Sequence, residues 1–147
     1  MIPVLAFLRI LLGIFFLAVG GAKLLAPYQN FLYVVQSYQT FSPPLEEIAA
    51  RVVPWIEFFI GLFLALGLWL KKTLIAFLFL LSAFLVILGQ AILRGMSIDC
   101  GCFGEWLKVP IQITFLMDSC QWLLAVFMLR QLQQTSRLSL DNYFSKN

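Results

Sequence analysis

Four apolar stretches, each close to the length that crosses a bilayer, leave this chain few folds to choose from. A span needs about 20 consecutive apolar residues. In hydrocarbon every backbone N–H and C=O must be satisfied within the structure, and a lone apolar stretch does that by coiling into a helix. The first stretch runs from roughly Ile2 to Leu25, the second from Val52 to Leu70, the third from Thr73 to Leu93 and the fourth from Ile111 to Leu129. The first is too long, and too poor in basic residues at its start, to read as a cleaved signal peptide. The expected fold class is an all-α integral membrane protein: a four-transmembrane-helix bundle over residues 1–131, then a polar tail over 132–147. Charge content agrees. Charged residues make up 12% of the 147, about half the share of a soluble domain.

The connectors carry their own signals. Ala26 to Pro44 holds Pro27, Asn30 and a Pro43-Pro44 stop, and its Phe31, Val34, Val35 and Tyr38 predict a short amphipathic helix at the interface. Pro44 suits the opening of the next helix, which starts in water at Leu45-Glu46-Glu47 and is expected to kink at Pro54. Lys71-Lys72 reads as a tight turn, and Arg94 to Pro110 as a polar loop. Basic residues mark the cytoplasmic side. Lys71-Lys72, Arg130, Arg137 and Lys146 therefore predict both termini in the cytoplasm. Glu46, Glu47, Asp99 and Glu105 then lie outside, with the 94–110 loop on the periplasmic or lumenal face of a bacterial inner membrane or a thylakoid.

Composition also excludes. The net charge of +3 comes from scattered basic residues, which does not point to nucleic acid. Histidine is absent, which removes the usual neutral zinc or haem ligand and every Ser-His or Cys-His catalytic pair. Three cysteines remain: Cys100, Cys102 and Cys120.

Asp99-Cys100-Gly101-Cys102-Phe103-Gly104 puts two thiols one glycine apart in the loop. A disulfide across one residue is strained, and strain makes it easier to reduce. Gly101 supplies backbone angles that other residues adopt at a cost, and Gly95 and Gly104 let the loop present its sulfurs. A structural staple closes a long loop, because its entropic gain grows with loop length. One residue constrains almost nothing, so the spacing favours redox exchange over a staple. Two thiolates also bind Cu(I) or zinc, with Met96, Met117 and Cys120 as further soft ligands. Closed zinc sites want four ligands, which ranks copper ahead of zinc.

Ionisable residues inside spans are costly and are usually paired or functional. Lys23, Glu57 and Asp118 all fall within about 12 Å of the outer boundary, the side of the cysteine loop. Lys23 with Glu57 is the expected ion pair, and Asp118 is expected to face Lys23 or Arg94. The cluster reads either as a polar clamp between helices or as a proton acceptor beneath the thiols. Arg94 and Lys108 would lower, and Asp99 raise, the cost of a thiolate. Arg9, near the cytoplasmic end, is expected to snorkel to the headgroups. Gln90, Gln112 and Gln121 are candidate interhelical hydrogen-bond partners. Cys120, about 14 Å deep, reads as a small buried hydrophobe, with a resolving role if the loop folds inward. Small pairs at Ala18/Ala22 and Gly61/Ala65 fit close helix contact, though such residues are common in spans anyway. Trp55, Trp106 and Tyr28 would form the outer aromatic belt and Trp69 the inner one. Phe103, Trp106 and Trp122 could flank a quinone ring.

With these residues in view, the chain resembles the MauE branch of the DoxX-like membrane proteins up to about Leu129. The resemblance is carried by Arg9 through Gly13, Gly21 to Lys23-Leu24, and Pro54-Trp55-Ile56-Glu57 followed by Gly61 and Gly67. Arg94-Gly95, Cys100-Gly101-Cys102-Phe103-Gly104 and Asp118 complete it. It implies a four-helix bundle that works with periplasmic thioredoxin-like proteins in making or reshuffling disulfides. In the methylamine-utilisation setting it implies support for maturation of a disulfide-rich dehydrogenase subunit. The architecture also looks like the thiol-to-quinone bundles of DsbB and vitamin K epoxide reductase. Those use two cysteine pairs, where this chain has one pair and a leftover. The implied activity is thiol–disulfide exchange through Cys100 and Cys102, supported by Gly101, Gly104, Lys23, Glu57, Asp118, Arg94 and Cys120, with quinone as the cofactor to test. The rival readings are a non-catalytic assembly subunit of a larger membrane complex and a Cu(I) site.

Overall fold

The structure, a computed structural model, describes residues 2–95, 109–135 and 143. Every element among them is a helix: α1 (Ile2–Leu25), α2 (Tyr28–Ser37), α3 (Pro43–Leu66), α4 (Leu70–Leu93), α5 (Ile111–Arg130) and α6 (Leu132–Thr135). Four of them, α1, α3, α4 and α5, are long and apolar enough to cross a membrane. This is the fold of a four-helix membrane protein. Cys100, Gly101, Cys102 and Gly104 lie outside the described residues, as do Met96, Asp99, Phe103, Glu105, Trp106 and Lys108.

The tightest contact is between α1 and α3, where backbone meets backbone. A Cβ added at Gly13 would collide with the Ala65 backbone, and one at Gly61 with that of Leu17, 2.8 Å from the Gly13 carbonyl oxygen. One at Gly20 would lie 2.6 Å from the Phe58 nitrogen. In lipid, helices associate through such close packing, since apolar side chains gain nothing by leaving other hydrocarbon. Gly61/Ala65 therefore does serve the contact, but its partners on α1 are Gly13 and Leu17, while Gly20 meets Phe58 and Pro54. Ala18 faces outward. The main core forms around Leu12, Phe16, Leu64, Leu74, Phe77, Leu81 and Met128, with Phe16 edge-on to Phe77 at 4.8 Å between centroids.

Helix ends follow local chemistry. Ser42 precedes α3, with Pro43 and Pro44 in its first turn, where a missing N–H costs nothing. The helix runs on through Pro54 to Leu66. Glu46, expected in water, is buried in this first turn, where free backbone N–H groups favour a carboxylate. The turn expected at Lys71-Lys72 falls earlier. Gly67 ends α3 at φ 70°, and Trp69, at φ 44°, precedes α4. Glycine takes that left-handed conformation cheaply, so the chain reverses there and both lysines belong to α4. The Lys72 ammonium lies 5.7 Å from the Trp69 ring centroid. Trp55 and Trp69 face outward, 53% and 67% exposed.

Two expectations for polar side chains fail. Arg9 does not snorkel: it is fully buried, and its Nη1 donates to the Thr135 carbonyl at 2.9 Å. The start of the tail folds back as α6 against α1 and offers its terminal carbonyls, which attract a cation. Arg9→Met is expected to cost about 2 kcal/mol and to speed amide hydrogen exchange at 132–135; unchanged exchange there would refute the latch. The three glutamines are not the helix glue either. The Gln121 Oε1 is buried with no hydrogen-bond partner among the described residues, and Gln90 and Gln112 are exposed. Instead Trp122 Nε1 donates to Ser82 Oγ at 3.0 Å, tying α5 to α4.

Candidate functional site

Three membrane-spanning helices each bring one ionisable side chain to the same region. Lys23 lies in the last turn of α1, Glu57 in α3 and Asp118 in α5, and all three are buried. Lys23 Nζ donates to both Glu57 oxygens at 2.8 Å, with the two side chains 3% and 2% exposed. Such a bidentate pair, almost wholly out of solvent, is the arrangement that offsets the cost of taking charge out of water. Asp118 interacts electrostatically with both partners and with Tyr38. One ammonium thus faces two carboxylates. Arg94 is not part of this group. It is exposed and donates to the Gln39 carbonyl at 3.4 Å, bracing the end of α4 against the α2–α3 connector.

The amphipathic helix anticipated in the first connector is α2. Its Phe31 ring centroid lies 4.7 Å from Lys23 Nζ, and Tyr38 caps its C-terminus. Burial, and secondarily the Asp118 carboxylate, push the Tyr38 phenol up to about 12, so it stays neutral at any physiological pH. On the other side of the ion pair, Glu57, Asp118, Thr114 and Gln121 line a cavity of about 30 Å³. That volume and those polar partners suit one bridging water.

The charged cluster sits at the end of the bundle where α1 and α4 finish and α3 and α5 begin. The 96–108 segment leaves from this end at Gly95 and returns at Val109. Gly95, at φ 68°, closes α4 in the left-handed conformation. Cys120 does not join the group. It is exposed on the outer face of α5, because two residues along a helix turn about 200° and Asp118 faces inward. The buried-hydrophobe reading fails for that reason. The soft ligands expected to join the cysteines also divide, with Met117 at the edge of the small cavity and Cys120 on the outside. Trp122, expected to flank a quinone, packs instead against the main core. What the sequence did not reveal is Tyr38 as a neighbour of Asp118. Its place in the amphipathic pattern was the available signal.

Fold and cluster together define a multi-pass helical membrane protein with a buried ion pair and a third carboxylate at one end of its bundle. The chain belongs to the MauE family: the family model described as methylamine utilisation protein MauE matches residues 1–131. It is 31% identical over 105 residues to the methylamine utilization protein MauE of Paracoccus denitrificans, covering 71% of this chain. The match spans 56% of that relative's length. No solved structure matches the chain.

Proposed function

We propose that this protein is a membrane thiol–disulfide redox protein in which Cys100 and Cys102 exchange with a thioredoxin-like partner on the periplasmic or lumenal face. The carrying observation is the Cys100-Gly101-Cys102 pair in a chain of the MauE family. The buried charges at the bundle end from which that segment departs add support. Exchange conserves atoms and electrons. A thiolate of one protein attacks a disulfide sulfur of the other, a mixed disulfide forms, and the second thiol of the attacking pair releases the partner as a dithiol. The two sulfurs of one pair end oxidised and those of the other reduced, the two protons passing with them. Asp118 is the carboxylate without a lysine of its own and is the proposed local proton acceptor. By its relative's name, we further infer a role in a methylamine-utilisation system, and the exchange reading makes that role the maturation of a disulfide-rich protein.

Trapping tests the exchange. Cys102→Ala, purified without reductant from cells that retain the partners, is expected to carry a covalent adduct on Cys100 that dithiothreitol removes. Absence of any adduct in such cells would overturn the reading. Labelling intact cells with a membrane-impermeant maleimide, before and after reduction, checks the side of the membrane. A second reading, a non-catalytic assembly subunit, draws on a groove of about 640 Å³ between α3 and α4, walled by Trp55, Phe59, Phe63 and Trp69. Full function in a Cys100→Ser/Cys102→Ser protein would favour it.

A further inference from the structure

Beside the ion pair, on the side away from the small cavity, lies a second cavity of about 220 Å³. It is lined by residues of α2, α3 and α4, and by Lys23 of α1. Phe31, Tyr38, Phe41 and Phe84 bring aromatic rings to it, and aliphatic side chains such as Val53 and Leu88 form the rest. We propose that this cavity is a binding site for an uncharged, single-ring carbonyl compound of the quinone class, held by its carbonyl oxygen on the Lys23 ammonium.

Three observations select that chemistry. The first is size. A dry apolar cavity of about 150 Å³ accepts benzene, so 220 Å³ takes one substituted ring. The second is the donor. An ammonium has three N–H groups, and Glu57 takes two from Lys23. Among the described residues no oxygen accepts the third, and the neighbour on that side is the Phe31 ring, itself a wall of the cavity. A carbonyl oxygen entering the cavity completes the set with a charge-assisted hydrogen bond. The third is charge. Glu57 already neutralises Lys23, and Asp118 adds a further carboxylate nearby, so an anionic head would be repelled. A neutral acceptor meets no such penalty. Tyr38 also lies on the wall. The walls are otherwise carbon, which suits a ligand that partitions from the bilayer.

The choice of a quinone over another carbonyl ring rests on the exchange reading above. A bound quinone supplies a two-electron, two-proton acceptor, the counterpart of oxidising a dithiol. The binding site itself does not depend on exchange, and the test keeps the two apart.

Binding is measured on the full chain carrying Cys100→Ser, Cys102→Ser and Cys120→Ser, in lipid nanodiscs, by equilibrium dialysis and ligand-observed NMR. The probes are duroquinone, durene (the same methylated ring without oxygens) and 2,4,6-trimethylbenzoate. Duroquinone is expected to bind saturably, one per chain, about tenfold or more tighter than either control. Val53→Phe or Ala49→Phe, which fill the cavity and spare the ion pair, are expected to abolish that binding while the helical circular dichroism is kept. Lys23→Met/Glu57→Met, which removes both charges together, is expected to bring duroquinone down to the affinity of durene. Equal binding of durene and duroquinone would overturn the carbonyl recognition. Undiminished binding in both filled variants, or no saturable binding, would overturn the site.

Discussion

Lys23→Met is expected to destabilise the folded bundle by about 3–5 kcal/mol, the usual cost of stranding one member of a buried pair. Glu57 is 1% exposed and has no other cation to turn to in this cluster. Its carboxylate would be left near that of Asp118 with no cation to offset the two. Removing both charges, as in Lys23→Met/Glu57→Met, is expected to recover most of the loss, because well-packed apolar residues replace a buried pair at little cost. Adding Asp118→Asn to Lys23→Met is expected to recover part of it by ending the repulsion. Equilibrium unfolding in mixed micelles across the set reads these differences as a double-mutant cycle. If the double variant costs the sum of the two singles, Lys23 and Glu57 are not coupled and the description of the site is wrong. This cycle also separates clamp from chemistry. A stable, thiol-competent double variant would assign the pair to architecture, whereas a stable but exchange-dead one would assign it to the reaction.

Gly61→Leu carries the other large effect, a loss of about 3 kcal/mol, the upper end of overpacking costs. At most core positions a neighbouring side chain can rotate away. Here the new Cβ meets backbone atoms of Leu17 and Gly13, which cannot move without separating α1 from α3. That would also loosen the ion pair, since its two members come from those helices. Gly21→Ala is the control. Its Cβ would find only the edge of the Phe58 ring, at 3.9 Å, and the expected change is within about 0.5 kcal/mol of zero. Thermal unfolding of both variants in detergent decides the matter. Equal stability of the two would mean that the helices do not meet as described.

The contrast between Gly61 and Gly21 shows where sequence reading stops. Both are glycines in apolar spans, and both belong to the stretches that carry the family resemblance. A glycine's identity does not say which way its helix face turns. Arg9 and Cys120 show the same limit from the polar side. Depth along the helix could be estimated from rise per residue, and it suggested a snorkelling arginine and a buried cysteine. Rotation about the axis decided otherwise, turning Arg9 onto the Thr135 carbonyl and Cys120 outward. The Lys23–Glu57 pair was legible because charge in hydrocarbon is so costly that a lysine and a glutamate at one depth leave little alternative. The Gly67–Trp69 turn was misplaced by four residues because two lysines look like a surface break. A left-handed glycine was the stronger signal.

Hydropathy alone settled that this chain crosses a membrane as helices and how many times, and charge at a common depth settled that Lys23 would meet Glu57. Those outcomes follow from solvation energies so large that no arrangement of neighbours reverses them. Which faces touch was left to the assembled bundle. A span that is apolar all round has no preferred side until backbone contact at Gly13, Gly20 and Gly61 sets the phase of α1 against α3. Only that phase joins Lys23 to Glu57, with Tyr38 and Asp118 nearby and a cavity lined by each member of the pair.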